Sequence, residues 1–228
     1  WYGTLDELNN SSMFKMNLSN SGNITFEGTD VDLASNPLPI NSGWNWVAYL
    51  PQESMDINTA LSTISTGIFI KNQSQYADYY DNFETWYGTL EVLQPHDGYM
   101  INANGSSVLT YPERISTTES VNPTTSMNNL KDRWNFNYKN YEYNSTIMLS
   151  LNLEKFNIDL NDQIGAFVDD RCIGIAKARI SPFNNIIIFP MMMYGENKEE
   201  ILSFKYFNKI TNQEIDLIEK ITYKPDAF

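Results

Sequence analysis

Residues 1–28 and 86–113 are two copies of one pattern, set 85 positions apart (86 against 1). Trp1-Tyr2-Gly3-Thr4-Leu5 recurs letter for letter as Trp86-Tyr87-Gly88-Thr89-Leu90. The match runs on without a gap: Leu8 with Leu93, Phe14 with Tyr99, Met16 with Ile101, Asn17 with Asn102, Thr25 with Thr110 and Phe26 with Tyr111. Self-similarity at a fixed offset marks a modular array. Nothing in the sequence copies residues 43–85 ahead of Trp1, so the chain reads as opening inside a module of a longer, beaded protein. The two copies are expected to superpose, with Trp1 and Trp86 in equivalent buried positions.

The repeat and the turn residues divide the chain. Residues 1–28 are the C-terminal part of a first module. Residues 29–42, with Asn36-Pro37-Leu38-Pro39, read as a linker, and 43–112 as a complete second module. Residues 113–130, rich in Ser, Thr and Asn, read as another linker. Residues 131–228 show no echo of the repeat and read as a separate domain.

Composition narrows the function. The chain is 42% hydrophobic and 14% aromatic, enough for packed cores and against disorder. A net charge of −13 argues against nucleic acid and against attachment to an anionic membrane. No apolar run is long enough to span a bilayer. The single cysteine, Cys172, excludes an intramolecular disulfide and reads as a small buried hydrophobe. With His96 the only histidine and no hydrolase, zincin or phosphate-loop motif, catalysis has no visible machinery. No enzyme and no cofactor are expected.

Periodicity predicts a mainly β chain. In the second module Trp44-Asn45-Trp46-Val47-Ala48-Tyr49-Leu50 alternates as a strand, with Trp44 and Trp46 on one face. Asp56 is placed to cap a short helix whose stripe is Ile57, Leu61 and Ile64. Ile68-Phe69-Ile70 is a second strand, and Asn104-Gly105 turns a hairpin between 99–102 and 108–111. The module is a small α+β unit. In 131–228, strands are expected at 145–151, 163–168, 171–177, 186–193, 201–207 and 221–223. Short strands separated by turns predict a β-sandwich. The fold class is thus tandem small α+β modules, the first truncated, followed by a β-sandwich domain.

Gly43-Trp44-Asn45-Trp46, then Trp86 with Leu90 and Leu93, then Pro95-His96-Asp97-Gly98-Tyr99, resembles a module of large secreted and cell-surface proteins of Bacteroidetes-type bacteria, the cargo of type 9 secretion. That pattern closes on Pro-Gly-x-Gly-Tyr; here His96 replaces its first glycine. Asp162-Gln163-Ile164-Gly165-Ala166-Phe167-Val168 with Cys172-Ile173-Gly174-Ile175-Ala176 is similar to a β-domain of the same proteins. The resemblance implies an extracellular or cell-surface setting and no family-wide catalytic residues.

Three residue sets stand out as candidate sites. Tyr79, Tyr80 and Tyr87 are expected on the surface as a glycan-stacking set, with 78–82 read as a polar loop. Trp44, Trp46 and Trp86 read as module core, a sugar platform being the other reading. Asp159, Asn161 and Asp162 bracket one turn and Asp169-Asp170 another. If the turns share an end of the sandwich, their oxygens converge on calcium; otherwise they are turn formers. The sequons at Asn9, Asn10, Asn17, Asn23, Asn72, Asn104 and Asn144 read as chance in an Asn- and Ser-rich bacterial chain. The function these features imply is a non-catalytic segment acting as stalk, filament or adhesin. Its expected partners are other modules of the same polypeptide, surface glycans or other surface proteins. The alternative is a carbohydrate-binding accessory region of a secreted enzyme.

Overall fold

The computed structural model describes the chain except residues 1–5, 17, 21, 24, 26, 114–131, 153–155, 197–198 and 228. The chain is mainly β, with several sheets, and divides into two compact units, Trp1–Thr124 and Thr125–Phe228. Among the described residues no helix is long and apolar enough to cross a membrane.

The elements of the first unit are β1 (Leu38–Ile40), β2 (Gly43–Ala48), β3 (Met55–Asp56), α1 (Ile57–Ala60), β4 (Gly67–Lys71), β5 (Tyr76–Tyr80), β6 (Thr85–Gly88), β7 (Val92–Leu93), β8 (Gly98–Ala103) and β9 (Ser107–Leu109). Five form an antiparallel sheet in the order β2-β8-β4-β5-β6, and β1-β9 and β3-β7 form small pairs beside it. One face of the sheet supplies Val47, Tyr99, Ile101, Ile70, Ala77 and Trp86 to a single core, completed by Leu61, Leu90, Leu93 and Tyr111 from the connections. Trp86 fits there because Gly67 lies beneath its ring; a Cβ on Gly67 would meet the indole at 3.0 Å.

Three sequence expectations change here. The strands on either side of Asn104-Gly105 do not pair as a hairpin: β8 lies between β2 and β4, while β9 pairs with β1. Leu38–Ile40, assigned to the linker, is a strand paired with β9, and Leu38 and Ile40 are buried. The predicted three-residue helical stripe is a single turn. Asp56 does cap it, accepting from the Asn58 and Thr59 N–H groups. Beyond it the chain runs on in turns, and Thr63 donates to the Thr110 carbonyl and accepts from its N–H.

The two copies do not fold alike. Residues 86–113 hold β6 to β9, whereas the described residues between 6 and 28 form neither helix nor strand. The reason lies in the partners. In the second copy β8 is held between β2 and β4, and a strand without neighbours is not stable alone. Among the described residues, those of the first copy are held by no such pair of strands. Instead, Asn9 closes a turn by accepting from Ser11 and Ser12. The Ser11 carbonyl then accepts from Ala48 N–H on the β2 edge at 3.2 Å. Met13 lies where a Gly98 Cβ would be. Trp1 lies outside the described residues, as does most of the second predicted linker.

The second unit contains β10 (Tyr143–Leu149), β11 (Gln163–Val168), β12 (Arg171–Lys177), β13 (Arg179–Ile180), β14 (Ile187–Gly195), β15 (Glu200–Asn208) and β16 (Gln213–Tyr223). They form two antiparallel sheets, β10-β14-β13 and β12-β11-β15-β16. Ile164, Ala166, Phe189, Met191, Leu202, Phe204 and Tyr206 fill one core fed by both sheets. The last strand is much longer than the predicted 221–223. Its alternation is interrupted where three residues, Leu217 to Glu219, face Phe204 alone. That bulge throws Ile218 into solvent at 90% exposure and hides the strand period in the sequence.

Candidate functional site

The five-stranded sheet has a second face, and it is aromatic. Residues paired directly across antiparallel strands share a face. Trp44 pairs with Asn102 and Trp46 with Met100; Phe69 pairs with Asn102 and Lys71 with Met100. Further across, Phe69 pairs with Asp78, and Asp78 with Tyr87. Tyr76 and Tyr80 flank Asp78 at the two-residue period of β5. The face opposite the core therefore carries Trp44, Trp46, Phe69, Lys71, Tyr76, Asp78, Tyr80 and Tyr87.

Its middle is packed. Phe69 stacks on Tyr76 with ring centroids 5.8 Å apart, and Trp44 meets Phe69 edge-on at 5.9 Å. Lys71 is buried with its ammonium 5.1 Å above the Trp44 ring. The margins are open. Trp46 is 44% exposed, and Tyr80 and Tyr87 are half-buried and meet edge to face at 6.3 Å. Between these margins stands Asp78, half-buried among rings. Desolvation raises its pKa from 3.8 to about 6, and the Asp78 charge in turn helps raise Tyr80, after desolvation. At the β6 edge, Asn58 of α1 accepts from Trp86 N–H at 2.7 Å and from Thr85, closing the outermost strand.

The predicted tyrosine triad is split by this geometry. Tyr80 and Tyr87 do come together. Tyr79 points to the other face and packs on Trp86 at 5.2 Å, as part of the core side. The expected loop 78–82 is largely strand β5. Of the three tryptophans expected in the core, only Trp86 is there; Trp44 and Trp46 lie on the second face. Alternation groups residues by face but does not say which face is buried when both are apolar. Asp78 and Lys71 escaped the sequence reading. The signal for Asp78 was present in Tyr76-x-Asp78-x-Tyr80, an aromatic period of two with a carboxylate at its centre.

The predicted calcium set is not assembled. Asp162 precedes β11 and Asp169 follows it, so the two turns lie at opposite ends of one six-residue strand, about 20 Å apart at strand rise. Asp162 is fully buried and committed to the protein. It accepts from Asp159 N–H at 2.8 Å, Lys209 N–H at 2.8 Å and the Tyr206 hydroxyl. Asp159 accepts from the Asn161 backbone and side chain, as a turn former does. Asp169 takes a left-handed conformation at φ 52°, and Asp170 completes that turn. They share an open cleft with Glu200 and Arg171, whose guanidinium stands 3.7 Å from Glu200. Among the described residues no group of three or more His, Cys, Asp or Glu side chains is placed to hold a metal. Cys172 is buried with its thiol pushed up to about 11 by desolvation, a state that disfavours the nucleophilic thiolate.

No known protein family, no curated protein and no solved structure matches the chain. The class defined by the fold is a mainly β protein of several sheets.

Proposed function

We propose that this chain is a non-catalytic modular segment of an exported bacterial surface protein, and that it acts as an adhesin through the aromatic face of its five-stranded sheet. One observation carries the reading: Tyr80, Tyr87 and Asp78 stand together, half-buried, on the face turned away from the core. Ring faces stack on the apolar faces of sugars, and a carboxylate among them accepts sugar hydroxyls. In this reading unit 1 is a repeat module and the two sheets of unit 2, sharing one core, are a β-sandwich that spaces it from its neighbours. The setting is extracellular, with surface glycans as partners. The test is a glycan array probed with the wild type and with Tyr80→Ala/Tyr87→Ala. Glycan binding that disappears in the double variant, at an unchanged melting temperature, supports the reading. A wild type that binds no glycan removes it.

A second reading, a stalk or filament segment, rests on a different contact. The first copy's Ser11 carbonyl caps the second module's β2 edge at Ala48, so the first copy meets the second module directly. In that role the partners are other modules of the same polypeptide. Single-molecule extension of the chain, with Met13→Asp against wild type, tests whether this contact bears load.

A further inference from the structure

Resting on the glycan reading of this face, we propose that the site formed by Asp78, Tyr80 and Tyr87 selects a sugar carrying a free, protonated amine, a hexosamine, over its N-acetylated or acidic counterparts.

The argument starts from what surrounds the carboxylate. Across the sheet Asp78 has Phe69 on one side and Tyr87 on the other; along its own strand it has Tyr76 and Tyr80. Rings therefore replace water around it, which is why its pKa rises to about 6, with desolvation the cause. At neutral pH it is still an anion, held where anions are poorly solvated. The cation one register step away does not relieve it: the Lys71 ammonium is directed over the Trp44 ring. A desolvated carboxylate beside the faces of two half-exposed tyrosines is complementary to an organic ammonium, which gains an ion pair and cation–π attraction together. A uronic or sialic acid would meet like charge, in a chain already at −13. An N-acetyl sugar would stack but leave the charge unneutralised.

The preference has a pH signature. Below about 6 Asp78 protonates and the ion pair is lost. Among the described residues, the other titratable groups facing it are Lys71 on β4, Tyr76 and Tyr80 on β5, and Tyr87 on β6; these are an amine and three phenols, so the acid-side loss is assigned to Asp78.

The experiment is calorimetric titration of the full chain with a glucosamine oligosaccharide and with its N-acetylated counterpart, above and below pH ~6, for wild type and Asp78→Asn. The expected result is about tenfold tighter binding of the free-amine form at neutral pH. That preference should shrink on acidification and be levelled in Asp78→Asn. Melting curves keep the comparison fair, since the asparagine removes a desolvated charge and should not unfold the module. Equal affinities in the wild type, or a preference that survives Asp78→Asn, overturn the proposal while leaving the glycan reading standing. Binding of neither oligosaccharide and of no array glycan overturns both.

Discussion

Asp162 and Asp169 stand at the two ends of β11, one buried beneath the turn into the strand, the other exposed at the turn out of it. Their separation sets the first prediction. Calcium and chelator should leave the melting temperature of the chain unchanged. A specific site filled at a hundredfold over Kd would add about 2.7 kcal/mol, a shift plainly visible in a thermal scan. An upward shift in calcium would contradict the placement of these carboxylates.

Asp162 should instead matter for folding. It joins the start of β11 to Tyr206 on β15 and to Lys209 in the turn before β16. Asp162→Ala would strand these donors in a buried site, costing about 3–5 kcal/mol. Asp159→Ala loses only turn contacts and should cost no more than about 1 kcal/mol. Urea denaturation of the two variants measures the difference; equal losses would show that Asp162 is no hub.

Trp86 and Trp46 should separate in the same way. Trp86→Ala empties a core site and should cost about 3–5 kcal/mol. Trp46→Ala, on the exposed margin, should stay within about 0.5 kcal/mol. Thermal melts of both variants decide which sheet face is the core.

Asp78 predicts a pH effect on stability. Its folded pKa, about 6, lies above its ordinary 3.8. Between those values the folded chain holds more protons than the unfolded one, so stability falls as pH rises from about 4 to 6. Two pH units correspond to about 2.7 kcal/mol, reduced by partial exposure to about 1–2 kcal/mol. Asp78→Asn should therefore melt higher than wild type at neutral pH and alike near pH 4. An Asn variant that melts lower at neutral pH would mean that the carboxylate is stabilised in the fold.

His96 occupies a left-handed position, φ 69°, in the turn before β8. His96→Gly should relieve that conformation and raise stability by about 0.5–1 kcal/mol, after allowance for the freer unfolded chain. A destabilised variant would show that the imidazole makes a contact worth more than the strain.

Much of the local structure was legible in the chain itself. Alternation located β2, β10 and β15, apolar runs and turn residues located β4, β8, β9, β11, β12 and β14, Asp56 marked a helix start, and the short strands between turns predicted a mainly β protein. Local rules suffice there because strand period, capping and turn chemistry depend on neighbours in sequence. Tertiary structure decided everything that depends on partners. It buried Trp86 and left Trp46 exposed, although both sit in aromatic strands, because only the stacking of elements selects one face of a two-faced apolar sheet. It split Tyr79 from Tyr80, since adjacent strand residues point to opposite sides. The separation of Asp162 from Asp169, by contrast, was already implied by the strand expected at 163–168, which β11 matches. Tertiary structure made the two copies of one sequence differ: β8 is a strand between β2 and β4, and the described residues among 6–28 are placed between no such pair. A repeat in sequence becomes a repeat in structure only where the long-range partners of each strand are repeated too.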